Sequence, residues 1–382
     1  MGTITIDAEE FKKTLKTFDQ FSRQGIERAV VTTVVKQNGD SSLVYFLMQT
    51  DHAFVQAEPI SAKIDGELVK YSFDPTLLLK LSLTKAPVTL SWASESSPMQ
   101  LTNGRLHTDL KVAVPKHAHA PKSKDLNQVA VPYGVMCAFR KYLDLQCSYY
   151  KAKRNFFPIQ LQSVDGKLVA IAGDGGYSIG FVKTDIAVDG DAFLTQIPKY
   201  AFDGMFPKTD KDMKETRQVV LGVRQSSVLL DNGVVKSLIN CLNERPDHIP
   251  DDITKGTRSS CSFNPSLLNS ALKPLMALVP EKERYISVLK VVLDKKMSLV
   301  LEHKDTGCGG VDDIEGVEIY HEMGTKSSTV HVNPAAFRDY TSLFDVDNGK
   351  MFYCGNYIFY SGMVQAGGAN LEVGYVFPTV QV

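Results

Sequence analysis

The chain has 382 residues, of which 43% are hydrophobic and 22% charged, and its formal net charge is −1 at pH 7. This composition is typical of a globular protein of two or three domains, and no apolar run reaches the roughly 18 residues that span a bilayer. The near-neutral charge excludes a protein that grips nucleic acid over most of its surface, so any such contact must be local.

Six segments repeat one pattern: a short alternating strand, then a cap or proline, then an amphipathic helix. Five of them carry proline at the start of the helix, where its missing N–H has no partner to lose. These prolines, with Ala8 in the first segment, follow one another at steps of 67, 57, 66, 67 and 69 residues, which predicts six copies of one unit. The segments are TITIDAEEFKKTLKTF (3–18), VKYSFDPTLLLKL (69–81), QVAVPYGVMCAFRKYL (128–143), AFLTQIPKYAFDGMF (192–206), SCSFNPSLLNSALKPL (260–275) and STVHVNPAAFRDYTSLF (328–344).

The side chains before these helices predict how they begin. Asp7, Asp74, Asn264 and Asn333 are expected as N-caps that accept hydrogen bonds from the free amides of the first turn. The predicted helices cover residues 7–22, 74–85, 132–144, 197–208, 264–276 and 333–345.

The segments between the helices predict strands. Examples such as SLVYFLMQT (42–50), KLVAIAG (167–173) and KMSLVLEH (296–303) are rich in β-branched residues and broken by Gly, Asn and Asp turns. Each unit is therefore one helix with several strands, mostly joined by hairpins, and the predicted class is α+β with antiparallel sheets.

Two polar, proline-bearing linkers group the six units into pairs. They are PKHAHAPKSKDLNQ (115–128) and RPDHIPDDITKGTRSS (245–260), and each lies just before a new unit. The sequence therefore predicts three domains of two units each, covering residues 1–117, 126–253 and 258–382.

The cysteines and the N-terminus predict the compartment. Six cysteines are scattered without a CxxC pair, which favours reduced, buried thiols over disulfides or a zinc site. The N-terminal MGTITIDAEEFKK has no apolar core behind a basic start, so no secretory signal is expected. We therefore expect a cytoplasmic protein.

The whole chain, taken in order, resembles the bacterial DNA polymerase III beta subunit, the sliding clamp. The segments that carry the resemblance are ITIDAEEFKKTLKTF (4–18), LMQTDHAFVQAEPISA (47–62), LVAIAGDGGYSIG (168–180), SLINCLNERPDHIPDDI (237–253) and GYVFPTVQV (374–382). No single motif is diagnostic, but the ordered set lies on a sixfold repeat. The resemblance implies three clamp domains per chain and a head-to-tail dimer that closes into a ring, with helices lining the hole.

This resemblance also implies a function. In that family the ring encircles duplex DNA and tethers the polymerase, so we expect a processivity factor and not an enzyme. No metal, nucleotide or other cofactor of its own is implied, because a separate clamp loader would use the ATP. The implied partners are double-stranded DNA without sequence preference, a DNA polymerase and other DNA-processing proteins, the clamp loader and a second copy of the chain, with no membrane.

The predicted helices carry a modest excess of basic residues, with eleven Lys and Arg against nine Asp and Glu. Four of these acids, Asp7, Glu9, Glu10 and Asp74, stand at caps or first turns, where the helix dipole favours them. Solvated helix faces would explain the basic residues equally well. The residues expected to face DNA are Lys12, Lys13, Lys16, Lys80, Arg140, Lys141, Lys199, Lys273 and Arg338.

The family binds partner peptides in an apolar pocket between its second and third domains. By position the pocket would be lined by Phe156, Gly173, Asp174, Gly175, Tyr177, Ser178, Pro246, Val376, Phe377, Pro378 and Val380. Several of these positions depart from the family pattern: Gly173 replaces threonine, and Arg245 stands where the family has phenylalanine. The partner motif is therefore expected to differ, as in a divergent clamp encoded by a virus of bacteria; a domain-packing seam is the alternative.

The implied dimer would pair the edge strand near Leu106–Val114 with the third domain near Leu267–Leu278. Three other readings of the sequence stay open. GYSIG (176–180) matches the nucleophile motif of serine hydrolases, with Ser178 as nucleophile and His248, His303, His321 or His331 downstream, although FVKTDIAV after it reads as a strand and not a helix. HAHA (117–120) supplies two histidines for a metal. A clamp-fold scaffold that encircles nothing would need a bore that is not basic.

Overall fold

The computed structural model describes residues 2–22, 29–38, 41–66, 70–94, 96–113, 126–148, 158–173, 178–224, 226–242, 246–249, 253–280, 287–302, 309–343 and 349–380. The helices, in chain order, are α1 (Ala8–Ser22), α2 (Tyr133–Ser148), α3 (Lys199–Met205), α4 (Asp210–Met213), α5 (Pro265–Ala277) and α6 (Pro334–Thr341), with a 3₁₀ turn at Leu78–Lys80. The strands are β1 (Gly2–Ile6), β2 (Val30–Asn38), β3 (Ser41–Gln49), β4 (Ala53–Gln56), β5 (Ile60–Gly66), β6 (Tyr71–Phe73), β7 (Val88–Trp92), β8 (Met99–Asn103), β9 (Leu106–Leu110), β10 (Asn127–Pro132), β11 (Pro158–Val164), β12 (Lys167–Gly173), β13 (Ile179–Ala187), β14 (Leu194–Pro198), β15 (Gln218–Arg224), β16 (Ser227–Asp231), β17 (Lys236–Asn240), β18 (Ser259–Phe263), β19 (Val288–Leu293), β20 (Met297–Glu302), β21 (Gly309–Ile314), β22 (Glu318–His321), β23 (Ser328–Val332), β24 (Gly349–Tyr353), β25 (Tyr357–Ala366) and β26 (Ala369–Pro378).

The chain folds into two compact units, each assembled from separate stretches of sequence. Unit 1 contains Met1–Met136, Asp189–Pro207 and Thr216–Asn243, and unit 2 contains Cys137–Val188, Lys208–Glu215 and Glu244–Val382. These two units do not test the three domains predicted from the linkers, whose boundaries stay a prediction.

Unit 1 is built on one antiparallel sheet of thirteen strands. Along its main path the order is β10-β15-β16-β17-β4-β3-β5-β1-β7-β8-β9, while β2 pairs with β3 and β6. Strand β17 joins β4 with Lys236 opposite Gln56 and Ile239 opposite Ala53, so residues of the first and second predicted domains share one backbone ladder. Strand β9 lies at the free edge of this path.

Unit 2 contains two antiparallel sheets. In one, strands β11-β12-β13-β26-β25-β24-β18-β22 follow one another, and in the other the order is β21-β20-β19-β23. Helix α5 lies against β21: a Cβ on Gly310 would come within 2.7 Å of a Leu275 side-chain carbon, so glycine allows this close approach.

Each of the six predicted helices is preceded by a strand, as the repeat requires: β1, β6, β10, β14, β18 and β23. Three of the four predicted N-caps, Asp7, Asn264 and Asn333, are confirmed, whereas Asp74 stands before a 3₁₀ turn whose N-cap is Leu77. The Asp7 side chain accepts from the amides of Glu9 and Glu10 at 2.8 and 3.0 Å. Asp74, Asn264 and Asn333 accept from Thr76, Ser266 and Ala336 at 2.8, 2.8 and 2.9 Å. The α+β class with antiparallel sheets is therefore confirmed.

The second helix of the repeat is shorter than the sequence predicts. In place of a helix over 74–85 there is a single 3₁₀ turn, Leu78–Lys80. Asn103 accounts for the end of the predicted helix: its fully buried side chain accepts from the amide of Thr84 at 2.6 Å and donates to the carbonyl of Ala86 at 2.5 Å. These bonds hold residues 84–86 in a loop and remove them from any helical ladder.

Two of the five prolines also have a different place from the one expected. Pro132 and Pro198 end strands β10 and β14, and the helices begin at the next residue, whereas Pro265 and Pro334 are the first residues of α5 and α6. A strand end tolerates proline for the same reason as a helix start, since the missing N–H needs no partner there.

Helix α1 packs through an apolar face with period 3.6. Phe11, Leu15 and Phe18 are buried, and Phe21 meets Gly204 of α3 so closely that a Cβ on that glycine would lie 2.6 Å from the phenylalanine ring. The opposite face of α1 carries its lysines. Packing of the apolar face therefore leaves the lysine face available for binding.

Candidate nucleic-acid and partner-binding surfaces

All nine basic residues expected to face DNA lie on the helices or on the 3₁₀ turn. Four of them are neutralised by carboxylates of the same chain. The pairs, with their nitrogen–oxygen distances, are Lys12–Glu9 at 2.8 Å, Lys141–Asp210 at 2.9 Å, Lys199–Asp203 at 2.7 Å and Arg338–Asp339 at 2.6 Å. Arg140 is half-buried on α2 and also has an interaction partner.

The pair between Lys141 and Asp210 fastens the short helix α4 to α2. The Lys141 side chain is only 16% exposed, and its ammonium also lies 5.5 Å from the centre of the Tyr142 ring. Its hydrogen bond and charge lower the pKa of the Asp210 carboxyl. Lys141 is therefore engaged inside the protein and is a poorer candidate for DNA contact than its position on the helix suggested.

The other four basic residues are exposed. They are Lys13 and Lys16 on α1, Lys80 on the 3₁₀ turn and Lys273 on α5, and none of them forms an ion pair with a described residue. An exposed lysine keeps its full charge available to a phosphate, so these four are the strongest candidates for nucleic-acid contact.

One face of the sheet in unit 2 carries a straight apolar row across five strands. Opposite residues in the ladder are Phe352 on β24, Phe359 on β25, Val376 on β26, Ile179 on β13 and Gly173 on β12. Directly opposed residues of antiparallel strands point to the same face, so these five form one surface, which we call the apolar row. Phe352, Val376 and Ile179 are half-buried: they pack against the buried cluster around Phe181 and Phe359 and keep part of their apolar surface exposed.

Phe181 and Ile171 lie beside this row on the same face of the sheet, two residues along their strands from Ile179 and Gly173. The rings of Phe352 and Phe359 stack at 5.5 Å and those of Phe359 and Phe181 at 5.9 Å. Lys183 lies 4.9 Å above the Phe181 ring. Gly374 is required beneath Phe181, because a Cβ there would overlap the ring. The apolar row is thus continuous with a stack of three aromatic rings, those of Phe352, Phe359 and Phe181.

The segment 246–249 is anchored beside the row by a buried side-chain amide. Gln160, 1% exposed, donates to the Asp247 carbonyl at 2.9 Å and accepts from the Asp247 amide at 3.1 Å, which imitates a strand pair. A Cβ on Gly173 would lie 2.5 Å from an Asp247 carboxylate oxygen, so glycine is needed for this approach. Ile249 and Ile253 then pack against the same apolar cluster.

The structure brings together only part of the pocket that the sequence suggested. Gly173 and Val376 belong to the apolar row, and Pro246 lies in the anchored segment beside it. Pro378 is exposed two residues beyond Val376 on the same strand, and the amide of Val380 donates to the His331 carbonyl at 2.8 Å. Phe156, Asp174, Gly175 and Tyr177 lie outside the described residues.

Ser178 and Phe377 do not join this surface, in contrast to the expectation. The Ser178 hydroxyl is buried and lies 2.6 Å from the Tyr340 hydroxyl of α6. The Phe377 ring stacks on Tyr340 at 5.2 Å and is 4% exposed. Each is the sequence neighbour of a row residue, Ile179 or Val376, and alternation along a strand sends neighbours to opposite faces.

Four apolar residues of this surface were not predicted from the sequence: Ile179, Ile249, Phe352 and Phe359. The hairpin β25–β26 carries the missing signal, because YIFYSGMVQA and ANLEVGYVFP alternate in step around Gly367-Gly368. Pairing the two strands through that turn places Phe359 opposite Val376.

The surroundings of Ser178 differ from those of a hydrolase nucleophile. Residues 179–187 after GYSIG form strand β13, as their sequence predicted, and a nucleophile elbow needs a helix there. The residues of HAHA lie outside the described part of the chain. Among the residues that the structure describes, no three His, Cys, Asp or Glu side chains are grouped to hold a metal ion, and no helix is long and apolar enough to cross a membrane.

Comparison with known proteins finds relatives only at the level of structure. No protein-family model matches the sequence, and no curated protein matches it. A DNA polymerase III beta subunit from Eubacterium rectale superposes with a TM-score of 0.79 at 11% identity, over 100% of this chain and 99% of that one. The DNA polymerase sliding clamp of Bacillus subtilis gives 0.77 at 13% identity, over 100% and 99%. The beta subunit of Thermotoga maritima gives 0.76 at 13% identity, over 100% of both chains.

These structural similarities span the entire chain, including all six segments of the predicted repeat. At 11 to 13% identity they establish the architecture, while the side chains on its surfaces have diverged. The protein therefore has the fold of the bacterial DNA polymerase III beta subunit, the sliding clamp, in a divergent form.

Proposed function

We propose that the protein is a DNA sliding clamp, a processivity factor that encircles duplex DNA and tethers a DNA polymerase and other DNA-processing partners. The observation that carries the proposal is the likeness to sliding clamps over the full length of both chains. A clamp acts by topology and needs no catalytic group of its own.

The DNA contact would fall mainly on Lys13, Lys16, Lys80 and Lys273, which are exposed and have no ion-pair partner among the described residues. Lys12, Arg140, Lys141, Lys199 and Arg338 would contribute less, because they are already engaged within the chain. A few loose phosphate contacts suit a ring that must slide, since each added contact strengthens binding and slows movement.

The apolar row would receive a short peptide from the polymerase or from a clamp loader. Its half-buried members Ile179, Val376 and Phe352 offer apolar surface, Gly173 ends the row, and Pro246, Pro378 and Val380 would border it. The stacked rings of Phe352, Phe359 and Phe181 would hold this surface in shape before binding, which lowers the entropy cost of docking. Phe156, Asp174, Gly175 and Tyr177 belong to the same proposal by position in the sequence.

The ring would consist of two chains, each with domains at 1–117, 126–253 and 258–382. The edge strand β9, Leu106–Leu110, supplies free backbone groups for a second copy. The stretch 267–278 expected to meet it lies mostly in helix α5, so backbone pairing would fall to the neighbouring edge strand β21. Leu267 of α5 and Leu278, the C-cap residue just after it, are 51% and 42% exposed and would flank the junction.

A topological experiment tests the proposal. The protein is loaded on nicked circular DNA, isolated by gel filtration and washed with 1 M NaCl, which shortens the electrostatic range to about 3 Å. We expect the protein to stay on the circle and to leave when a restriction enzyme linearises it. Equal retention on linear DNA with free ends, or no retention on circles, would overturn encirclement.

A scaffold that has the clamp fold but encircles nothing is the second candidate. The internal pairing of Lys12, Lys141, Lys199 and Arg338 favours it, because this pairing lowers the positive charge that the helices offer to DNA. If the protein is not retained on circular DNA but still binds a partner at the apolar row, the scaffold function is supported.

A further inference from the structure

Unit 1 contains a cleft of about 360 Å³ beside helix α1, distinct from the apolar row. One wall is a single face of the helix, with Glu10, Lys13, Thr14 and Thr17 at successive turns. The other wall is the β4–β5 connection at 57–61 and the β16–β17 turn. Its volume falls within the range of small-molecule sites, roughly 300–1,000 Å³.

The cleft combines an apolar floor with three charges. Ala57, Ile60 and Val235 are buried beneath it. Glu10, Lys13 and Glu58 line it, and no described residue forms an ion pair with any of the three.

Thr14 provides a second and independent sign of a ligand. Its side chain is 95% buried, with a relative exposure of 5%, and it lines the cleft. No residue in the described part of the chain hydrogen-bonds its hydroxyl, although Thr17 on the same face bonds the Lys13 carbonyl. Because Thr14 lines the cleft, its hydroxyl can form a hydrogen bond with a molecule there.

We propose that the cleft binds a free basic amino acid, of which L-arginine is the representative. Such a molecule carries two cationic groups, one carboxylate and an aliphatic chain. The two carboxylates of Glu10 and Glu58 match its cations, and the Lys13 ammonium matches its carboxylate. The Thr14 hydroxyl supplies a further hydrogen bond, and the aliphatic chain lies on the apolar floor. This inference goes beyond the clamp function and does not rest on it.

Calorimetric titration of the full chain with L-arginine tests the site. Two relatives of the probe separate its charges: L-citrulline replaces the guanidinium by a neutral urea, and agmatine lacks the carboxylate. We expect saturable binding of arginine in the millimolar range and at least about tenfold weaker binding of both relatives, because each loses a charge-assisted bond.

Variants then assign each charge to its partner. E58Q is expected to weaken arginine about tenfold and to remove its advantage over citrulline, and K13M to remove its advantage over agmatine. T14V keeps the shape of the side chain and is expected to weaken all three molecules. The matched controls D65N and K63M change exposed charges of β5 that do not line the cleft, and arginine binding should stay unchanged.

Each remaining result would overturn the proposal. These are the absence of saturable arginine binding to the folded protein, equal affinity for arginine, citrulline and agmatine, or unchanged binding in both E58Q and K13M. None of them bears on the circular-DNA experiment, so the two proposals fail separately.

Discussion

Basic residues that look equivalent in the sequence fall into two classes in the folded chain. Lys16 is exposed without an ion-pair partner among the described residues, whereas Lys199 holds Asp203 at 2.7 Å. Both stand on helices that follow a strand of the repeat. The difference lies in their neighbours, and it determines how much charge each side chain can offer to a phosphate.

Replacing these two lysines separately measures that difference. We expect K16M to weaken duplex binding and to lower the slope of log K against log salt concentration by about 1, because one phosphate contact is lost. K199M is the matched control and should leave the slope nearly unchanged. The measurement is fluorescence anisotropy on short duplex DNA across salt concentrations; a larger effect of K199M would contradict the assignment.

Asn103 acts at a single position but decides the shape of a segment. We expect N103A to lower the free energy of unfolding by about 2–3 kcal/mol, because the buried Asn103 side chain loses its hydrogen bonds to the Thr84 amide and the Ala86 carbonyl. Chemical denaturation measures the change. Q100A, an exposed residue on the same strand β8, should change stability by less than about 0.5 kcal/mol, and an equal loss in both variants would refute the role of Asn103.

Local pairs are readable from the sequence and distant pairs are not. Glu9 with Lys12 and Lys199 with Asp203 have the spacings at which helical side chains meet, so their neutralisation was predictable. Lys141 and Asp210 are 69 residues apart, and only the fold brings them together. A count of basic residues per helix therefore overestimated the free charge.

At the scale of elements, caps and strand-to-helix spacing carried most of the prediction. The side chains of Asp7, Asn264 and Asn333 accept bonds from the first turn of their helices, because short polar side chains before a helix favour that geometry whatever packs around them. The prediction of a helix at 74–85 was wrong. The apolar periodicity of this segment holds only as far as Leu81, and Asn103, whose side chain binds the Thr84 amide, lies on strand β8.

Helix α6 offers a direct test of capping. N333A removes the bond of 2.9 Å to the Ala336 amide, and we expect the free energy of unfolding to fall by about 1 kcal/mol. N333D keeps an acceptor at the same place and should lose little stability. Thermal and urea denaturation measure both variants, and an equal loss for alanine and aspartate would exclude the cap as the cause.

The contact between α2 and α4 makes a prediction about pH. Because the Lys141 hydrogen bond lowers the folded-state pKa of Asp210, the contact stabilises the protein above the ordinary pKa of an unfolded aspartate. This contribution disappears as the pH falls through the lowered folded-state pKa. In K141M we expect the titration midpoint of Asp210, followed by carboxyl ¹³C NMR, to move up toward the ordinary value. K211M should leave the midpoint in place, and an unmoved midpoint in K141M would contradict the contact.

At the scale of the whole molecule, the fold was predictable because six copies of one unit repeat the same signal. The partner surface was predictable only in part, since it depends on register: Val376 and Phe377 are adjacent, yet one lies in the apolar row and the other beneath α6. A shift of one residue in the expected alignment exchanges the two faces of a strand.

The proposed dimer can be tested at strand β21. Val311 on this edge strand is 67% exposed, and we expect V311K to shift the protein from dimer to monomer in sedimentation velocity, because a lysine at the junction would be desolvated without a partner. M363K is the matched control, since Met363 is 58% exposed on β25, which lies inside its sheet order. A wild-type chain that is monomeric, or a V311K variant that stays dimeric, would contradict this junction.

The ladder between β17 and β4 bears on how the chain comes apart. It joins residues 236–240 to residues 53–56. The sheet that contains the first predicted domain therefore continues into strands of the second predicted domain. A fragment ending near residue 117 would leave β4 with an open edge and would tend to associate with itself. Under mechanical or thermal stress the two predicted domains should yield together, as one cooperative element, and the linker at 115–128 would then be a connection along the chain and not a line of fracture.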